Sequence, residues 1–358
     1  MAKKVTVRIL NKRIDTYVKM IDAIYSTSIK ESVRLATSIS NYDSSKPFTW
    51  NRYPQTKAKI DEVVNSLYRN ISTTITDATT KEWLAACLAN DKIAKQFLGN
   101  PLFKSIQVGH YYQRNLEALE AFQIRKTNSL NLSDRIWNMS QQFKNELEMS
   151  LDLGLAEGRS ASEISRDIRK YLNEPDKLYR RIKNSDNGNF YLSQNAKKYN
   201  PGNGMYRSSY KNAMRVTRTE TNMAYRASDQ ARWDQLDFVV GYEIIRSNNV
   251  FACHVCESLK GKYPKWFKFY GWHPQCRCAA IPILATPEEF ISVQKRILEG
   301  EENITLTSRN EVKHLPPAFI VWAKTNSQKI SASANTPYFL RDNFTKKEIS
   351  SGLKYLHS

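Results

Sequence analysis

Residues 253–278 read CHVCESLKGKYPKWFKFYGWHPQCRC and contain four of the five cysteines of the chain. The spacing is C-x2-C, then sixteen residues, then H-x2-C-x-C. Two sulfur-bearing turns with a histidine between them can surround one soft divalent ion, because zinc prefers four thiolate or imidazole ligands in a tetrahedron. The pattern predicts a structural zinc site with five candidate ligands for four positions, so the ligand set stays open. The candidate ligands are Cys253, Cys256, His273, Cys276 and Cys278.

Other interpretations of these cysteines stay open. Four reduced thiols can pack without a metal, and two disulfides can form, although a reducing cytosol disfavours them. A catalytic zinc would keep one position for water and would need a nearby general base. Glu257 directly follows the second cysteine, yet nothing else completes a hydrolase or nucleobase-deaminase signature. We therefore predict a closed structural site without catalytic or cofactor-binding residues, and we interpret the remaining Cys87 as a buried small apolar residue.

The segments that flank the cysteines predict a small sheet beside a long helix. Residues 206–236 read as one helix, and residues 239–246 and 279–284 read as strands because β-branched residues are frequent there. The helix carries Arg218-Thr219-Glu220, whose first and last members do not share a helix face and so form no simple ion pair. We interpret this motif as a structural brace, with partner contact and catalysis as alternatives.

An aromatic and basic stretch lies between the two cysteine turns, at residues 263–272. Aromatic faces stack on bases of any sequence, and lysines contact the nucleic-acid backbone. The alternatives are a hydrophobic plug over the metal site and an aromatic contact with a partner protein. The candidate DNA or partner contacts are Lys265, Trp266, Lys268 and Trp272.

Helical periodicity dominates the N-terminal half of the chain. Apolar residues recur there at three- and four-residue steps, which predicts amphipathic helices. Ser133 is the predicted N-cap of one of them, and Ser160 with Glu163 predicts a capping box for a short helix that ends before Pro175. The periodic stretches are 14–29, 60–75 and 136–151.

The C-terminal part of the chain predicts further helices. Thr286 and Glu289 have the spacing of a capping box, with a proline at the first helical position. A short apolar helix is expected over residues 318–322. Residues 336–344 read as an extended aromatic strip suited to docking, and residues 346–358 read as a loose tail.

Together these patterns predict a predominantly helical α+β fold. A helical N-terminal half precedes a long helix with a small antiparallel sheet and a Cys/His knuckle, and a helical C-terminal extension follows. Residues 184–204, rich in Asn, Ser and Gly, are typical of a loop or linker. The predicted domains are a helical domain (1–157), short helices with a linker (158–204), the core with the Cys/His cluster (205–285), and a helical extension with a tail (286–358).

The charge of the chain points to a polyanionic partner. The 358 residues include 54 Lys and Arg against 35 Asp and Glu, a formal net charge of +19. Such a field attracts DNA, and because the basic residues are spread along the chain without a helix-turn-helix, homeodomain or RNA-recognition signature, the expected contact with double-stranded DNA is non-specific. No run approaches the roughly 18 apolar residues that span a bilayer, and the first residues lack the apolar core of a secretory signal. We therefore expect no membrane contact and synthesis in the cytosol.

One series of motifs covers about a quarter of the chain, from residue 206 to 284. Its members are Arg-Thr-Glu-Thr (218–221) with two alanines, a strand, the C-x2-C pair, Leu-x-Gly-Lys (259–262), His-Pro-x-Cys-Arg-Cys (273–278) and a proline-containing strand. In order and approximate spacing the series resembles the Mu F-like phage head morphogenesis domain, and residues 158–172 resemble the lead-in helix of that family. Two departures are Phe251-Ala252, where the family often has an acidic residue and Thr, and the unusually aromatic stretch 263–272.

The resemblance implies a structural protein of a bacteriophage virion. Such a minor capsid protein is made in the host bacterial cytoplasm and enters the head with the portal protein, near the portal vertex. It assists DNA packaging or ejection, in contact with double-stranded DNA and also with scaffold or major capsid protein. The alternatives are a zinc-dependent nuclease or other DNA-acting enzyme carried in the virion, and a basic DNA-binding module unrelated to virions.

Overall fold

The fold is α+β and predominantly helical, with a small antiparallel sheet beside a Cys/His cluster, as the sequence predicts. Within the described part of the chain, no helix is both long enough and apolar enough to cross a membrane. The computed structural model describes residues 2–99, 109–127, 129–174, 181–183, 190–192, 208–247, 253–302 and 304–354.

The elements are named in chain order. The helices are α1 (Ala2–Thr37), α2 (Pro54–Leu98), α3 (Leu116–Ile124), α4 (Leu132–Ala156), α5 (Ala161–Asn173), α6 (Ser209–Gln235), α7 (His254–Ser258), α8 (Pro287–Leu298), α9 (Pro317–Thr325), α10 (Ser327–Ser331), α11 (Tyr338–Arg341) and α12 (Lys346–Ser350). The strands are β1 (Arg181–Lys183), β2 (Phe190–Leu192), β3 (Val239–Ile245), β4 (Gly261–Tyr263) and β5 (Ala279–Leu284). Short 3-10 turns cover Trp50–Arg52 and Gly109–Tyr112.

The chain divides into two compact units, each assembled from segments that are distant in sequence. The first, called here the knuckle unit, comprises Met1–Ile14, Ala78–Gln123 and Thr219–Ser358. The second, called here the helical unit, comprises Asp15–Asp77 and Ile124–Arg218.

The helical unit is built on the predicted amphipathic helices. Its buried core includes Ile21, Ile29, Ile60, Val64, Ile71, Ile136, Phe143, Leu147, Ile164 and Ile168. The predicted capping box of α5 is confirmed, since Glu163 N donates to Ser160 Oγ at 3.3 Å and Ser160 N donates to Glu163 Oε2 at 2.9 Å. Glu146 is buried on α4, and its carboxylate accepts the N–H of Ser209 at 2.9 Å, which favourably places a negative charge at the N-terminus of α6.

The predicted cap of α4 is wrong by two residues. Asn131 is the N-cap: its side chain accepts from Asp134 N at 2.8 Å, and its own N–H donates to Asp134 Oδ2 at 3.0 Å. Ser133 Oγ instead lies 2.5 Å from Tyr68 OH. The helix therefore begins at Leu132, because the Asn–Asp pair satisfies two free backbone donors where Ser133 would satisfy one.

The knuckle unit contains the three-stranded antiparallel sheet in the order β4-β3-β5. Both predicted strands are confirmed, and β3 ends at Ile245, one residue before the predicted end. Ile244, one residue before the end of β3, lies opposite Gly261 of β4 and Ala280 of β5. The sheet thus brings together the two chain segments that carry the cysteine turns.

The C-terminal extension departs from prediction at two places. Residues 336–344 are not extended, because α11 forms at Tyr338–Arg341 with Phe339 and Leu340 buried. The tail is not loose up to residue 354, because α12 has a complete capping box and Leu353 is 1% exposed.

Two further expectations for local structure have mixed outcomes. The capping box of α8 is confirmed, with Glu289 N donating to Thr286 Oγ1 at 3.3 Å. Within the predicted linker 184–204, residues 190–192 form β2, which pairs with β1. The rest of that linker lies outside the described residues.

Candidate metal centre

The first two candidate ligands share one turn of helix. Cys253 is the N-cap residue of α7 and Cys256 lies three residues further on, so both sulfurs lie on the same side. The backbone closes the turn through Glu257 N, which donates to Cys253 O at 3.0 Å. Cys256 is buried and Cys253 half-buried, so the sulfurs face into the unit.

Two further candidate ligands, His273 and Cys276, lie at the two ends of a tight turn. Cys276 N donates to His273 O at 3.0 Å, which closes a four-residue turn with Gln275 at φ 64°. Such a positive φ at the third position is typical of a type II turn and costs a non-glycine residue about 1 kcal/mol or more. The contact of Gln275 N with Thr219 Oγ1 at 3.1 Å helps to hold this conformation.

The two turns meet, and their donor atoms form one cluster. His273 Nε2 lies 3.2 Å from Cys253 Sγ and 3.1 Å from Cys256 Sγ, and the sulfurs of Cys256 and Cys276 are 3.9 Å apart. The ligand atoms form two groups, each with all separations within 4.8 Å: Cys253, Cys256 and His273, and then Cys256, Cys276 and Cys278. Cys256 belongs to both groups. The prediction that the cysteine turns converge is therefore confirmed, and the cluster could hold a metal ion.

The orientation of His273 suits a metal ligand. Its Nδ1 lies 2.8 Å from the Pro274 carbonyl oxygen, which can only accept a hydrogen bond. In the neutral imidazole this contact favours the proton on Nδ1, so that Nε2, which faces the sulfurs of Cys253 and Cys256, is the nitrogen available to a metal. Histidine ligands in metalloproteins commonly donate their second nitrogen to a carbonyl or carboxylate in this way.

The donor set and its spacing fit a soft divalent ion. Tetrahedral bonds of about 2.3 Å to sulfur and about 2.0 Å to nitrogen place two sulfurs about 3.8 Å apart and a sulfur and a nitrogen about 3.5 Å apart. The Cys256–Cys276 separation matches the first value. The two S–N separations are about 0.3 and about 0.4 Å too short, so the imidazole has to move outward by a few tenths of an ångström. None of the five cysteines forms a disulfide.

Hydrogen bonds within the cluster favour thiolates at two positions. The Cys256 side chain hydrogen-bonds to Cys276 and lowers the pKa of that thiol well below its ordinary value. Burial alone would raise the pKa of Cys253, but the backbone of Cys256 and the neighbouring side chains lower it overall. The pKa of Cys256 is raised, since its hydrogen bond to Cys276 stabilises the thiol form. Thiolates are the form that binds metals.

The Arg-Thr-Glu motif lies at the middle of α6. Thr219 contacts the second ligand turn through Gln275 N, as described above. Glu220 is 2% exposed, and Arg218 Nη2 lies 3.8 Å from Asp15 Oδ1. Among these three residues, Thr219 makes a contact with the cysteine turn that fits a brace.

Two residues that the sequence analysis did not single out contact the same turn. Asn222 Nδ2 donates to Cys276 O at 2.7 Å, and Arg226 Nη2 donates to Cys278 O at 3.3 Å. Asn222 and Arg226 follow Thr219 by three and seven residues, a spacing that places all three on one face of the helix. Polar side chains on an otherwise apolar helix face are the sequence signal by which these two residues could have been found.

The aromatic stretch between the turns divides into buried and exposed residues. Trp272 is 2% exposed and packs against Phe269 and Phe339, with ring centroids at 4.8 and 5.1 Å. It therefore cannot contact DNA in the folded chain, and that expectation is corrected in favour of the alternative of a hydrophobic plug.

The lysines and the other tryptophan of this stretch differ in the same way. Lys265 Nζ donates to Leu236 O at 3.1 Å, and burial lowers its pKa, so its charge is turned inward. Trp266 is 54% exposed and Lys268 is exposed. Of the four candidate contact residues, these two are exposed, Lys265 is half-buried and Trp272 is buried.

A scan against protein-family models, a search of curated proteins and a search of solved structures found no match. The function is therefore inferred from the residues and from this site. Phe251 and Ala252, the departures before the first cysteine, lie outside the described residues.

Proposed function

We propose that this chain is a minor head protein of a tailed bacteriophage, associated with the portal inside the head and acting in head assembly and in DNA packaging or ejection. The observation that carries the proposal is the convergence of the two cysteine turns beside α6 and the β3–β5 sheet. The resemblance to the Mu F-like domain requires these elements in this order, and it would fail if the turns lay apart.

The metal in this proposal is a structural zinc ion. Cys256, Cys276 and Cys278 are each less than 5% exposed, and the aromatic residues around Trp272 pack beside them. Soft thiolates with one imidazole suit zinc, and a closed site of four protein ligands stabilises a fold rather than activating water. Zinc bound there would cross-link α7 to the segment that leads into β5.

The surroundings of Glu257 give no support to hydrolysis. Its exposed carboxylate forms ion pairs with Lys260 and, at 3.4 Å, with Arg246. The hydrogen bond with Lys260 lowers the pKa of Glu257, so the group is a weak base. A nuclease would need a stronger base at the metal.

Metal analysis and chelation distinguish a structural ion from a catalytic one. We expect about one zinc ion per purified chain, loss of folding stability on chelation, and no nuclease activity with or without the metal. Metal-dependent DNA cleavage would replace the head-protein proposal with the virion-borne nuclease.

The virion role is tested by locating the chain in particles. In the phage or prophage that encodes it, we expect a portal gene beside its gene, a few copies of the chain in purified heads, and co-purification with the portal after co-expression. Heads that contain no copy of the chain would overturn the proposal.

A further inference from the structure

We propose that Thr219, Asn222 and Arg226 are positioning residues for the metal centre, which hold the second ligand turn in its metal-binding conformation from one face of α6. The inference rests on the metal site proposed above. It concerns the side chains behind the ligands, none of which coordinates the metal itself.

The three side chains form hydrogen bonds with the backbone on both sides of Cys276. Thr219 Oγ1 accepts the N–H of the preceding residue, Gln275, at 3.1 Å. Asn222 Nδ2 donates to the carbonyl of Cys276 itself at 2.7 Å, and Arg226 Nη2 donates to the carbonyl of Cys278 at 3.3 Å. These hydrogen bonds therefore orient the peptide units that determine where the sulfurs of Cys276 and Cys278 point.

The turn needs such support because it is strained and lies outside the strand pairing of the sheet. Gln275 has a positive φ of 64°, which disfavours a residue with a side chain. The segment from Cys276 to Cys278 precedes β5, where the pairing with β3 begins, so its backbone groups need hydrogen bonds from elsewhere. Asn222 and Arg226 supply them at the carbonyls of Cys276 and Cys278, and Thr219 accepts the N–H of Gln275 just before this segment.

Polar groups on this face of α6 are costly to bury and require a compensating role. Asn222 is 5% exposed and Arg226 is 3% exposed. A buried amide or guanidinium costs free energy unless it is hydrogen-bonded. Here each donates a hydrogen bond to a backbone carbonyl of the ligand turn. An apolar side chain could not form that hydrogen bond.

A second row of contacts holds the positioning residues in turn. Asp229 Oδ2 accepts from Arg226 Nη1 at 3.1 Å, and Asp229 Oδ1 accepts from Asn90 Nδ2 at 2.9 Å. Trp233 Nε1 donates to Asn90 Oδ1 at 2.7 Å. The buried network thus runs from the ligand turn through α6 to α2, and it leaves the arginine little freedom to move away.

The test compares metal affinity with folding stability in matched variants. Thr219→Val removes the acceptor at nearly constant volume, Thr219→Ser keeps it, and Asn222→Leu removes the donor. We expect Thr219→Val and Asn222→Leu to weaken zinc binding about 10- to 100-fold in competition with a chromogenic chelator, and Thr219→Ser to bind like the wild type. The Co²⁺ absorption spectrum of the two weakened variants should shift, since the thiolate geometry changes.

A control on the same helix separates positioning from general stability. Thr217 donates to Ala213 O at 2.8 Å within α6, so Thr217→Val also removes a buried hydroxyl. We expect it to keep wild-type zinc affinity even where metal-free unfolding is equally affected. Should Asn222→Leu not fold, the Thr219 pair decides alone.

Two results would overturn the inference, and they can be distinguished. Wild-type zinc affinity and Co²⁺ spectra in Thr219→Val and Asn222→Leu would leave the metal site intact and remove the positioning role. A wild-type chain that binds no metal would refute the proposed site and the positioning role together.

Discussion

Cys256 is the residue on which the metal centre depends most. It belongs to both three-ligand groups, contacts His273 at 3.1 Å and Cys276 at 3.9 Å, and is 4% exposed. Each of the other candidate ligands belongs to one group only. Replacing Cys256 therefore removes a donor atom from both three-ligand groups at once.

We expect Cys256→Ser to lose its metal and to unfold at a lower denaturant concentration, because a hydroxyl is a poor ligand for a soft divalent ion. Atomic emission measures the metal, and denaturant titration measures the free energy of unfolding. Cys87→Ser is the matched control, since Cys87 Sγ lies 3.3 Å from Ser228 Oγ and 3.6 Å from Arg114 O, where a hydroxyl finds partners. The control should keep its metal and lose less than about 2 kcal/mol. Full metal content in Cys256→Ser would refute the central role of Cys256, because the four remaining candidate ligands would then hold the ion.

Asp229 makes stability depend on pH in an unusual direction. Burial raises its pKa to about 6, although Arg226 and Asn90 oppose the shift. Between the unfolded pKa of about 3.9 and that value, the folded chain holds a proton that the unfolded chain has lost. The contribution of Asp229 to stability is therefore present below pH 4 and is lost as the pH rises through 6.

Asp229→Asn, which mimics the protonated acid, tests this prediction. We expect the free energy of unfolding of the wild type, minus that of the variant, to fall by up to about 3 kcal/mol between pH 4 and pH 7, because a tenfold change in proton affinity corresponds to about 1.4 kcal/mol. Subtracting the free energy of unfolding of the variant removes the contributions of the other titrating groups, because both chains contain them. A difference that stays constant over this range would show that the carboxyl has an ordinary pKa.

At the scale of elements, a capping motif predicts where a helix begins only when other candidate N-cap residues nearby are also considered. Ser160 and Thr286 cap α5 and α8 as predicted, because each has a Glu three residues later. At α4 the pair Asn131 and Asp134 has the same geometry, and it outcompetes Ser133.

The two candidate caps of α4 can be compared directly. We expect Asn131→Ala to lower the free energy of unfolding by about 1 kcal/mol, because a free backbone N–H loses its acceptor. Ser133→Ala removes an exposed contact with Tyr68 and should cost less than about 0.5 kcal/mol. Thermal or denaturant unfolding measures both variants, and a larger loss for Ser133→Ala would contradict the assigned cap.

Short elements escaped prediction for a physical reason. α11 has four residues, Tyr338–Arg341, too few for apolar periodicity to reveal a helix. An isolated turn of helix is unstable in water. The burial of Phe339 and Leu340 against the rest of the knuckle unit supplies the free energy that the local sequence lacks.

At the scale of the whole molecule, the net charge of +19 governs association with polyanions. We expect binding to linear double-stranded DNA with equal affinity for unrelated sequences, and a logarithmic affinity that falls linearly with the logarithm of salt concentration, by about 0.9 for each phosphate contacted. Filter binding or fluorescence anisotropy over a salt series measures both properties. Strong preference for one sequence would contradict non-specific binding.

The exposed surface at Lys268 can be tested within that experiment. Lys268→Ala and Lys324→Ala each remove one exposed positive charge, so they lower the net charge equally. If Lys268 contacts a phosphate, its variant should reduce the salt slope by about 0.9 and the control should not. Identical slopes for the two variants would exclude this surface.

Whole-molecule organisation is the level at which the sequence is least informative. The knuckle unit joins residues 1–14, 78–123 and 219–358, and the helical unit joins the remainder. Composition and linkers identify boundaries between consecutive segments, whereas these units depend on which distant segments pack together.

The sequence by itself determined the two cysteine turns, the strands beside them and most of the helices, because helical and strand periodicity, capping boxes and C-x2-C spacing are set by residues a few positions apart. Only the tertiary structure decided that Trp272 is buried, that Lys265 turns inward, and that α6 meets the second ligand turn. Those outcomes depend on contacts such as the ones that α6 makes with residues 52 to 56 positions away, and no local pattern specifies which distant partner a buried polar side chain will meet.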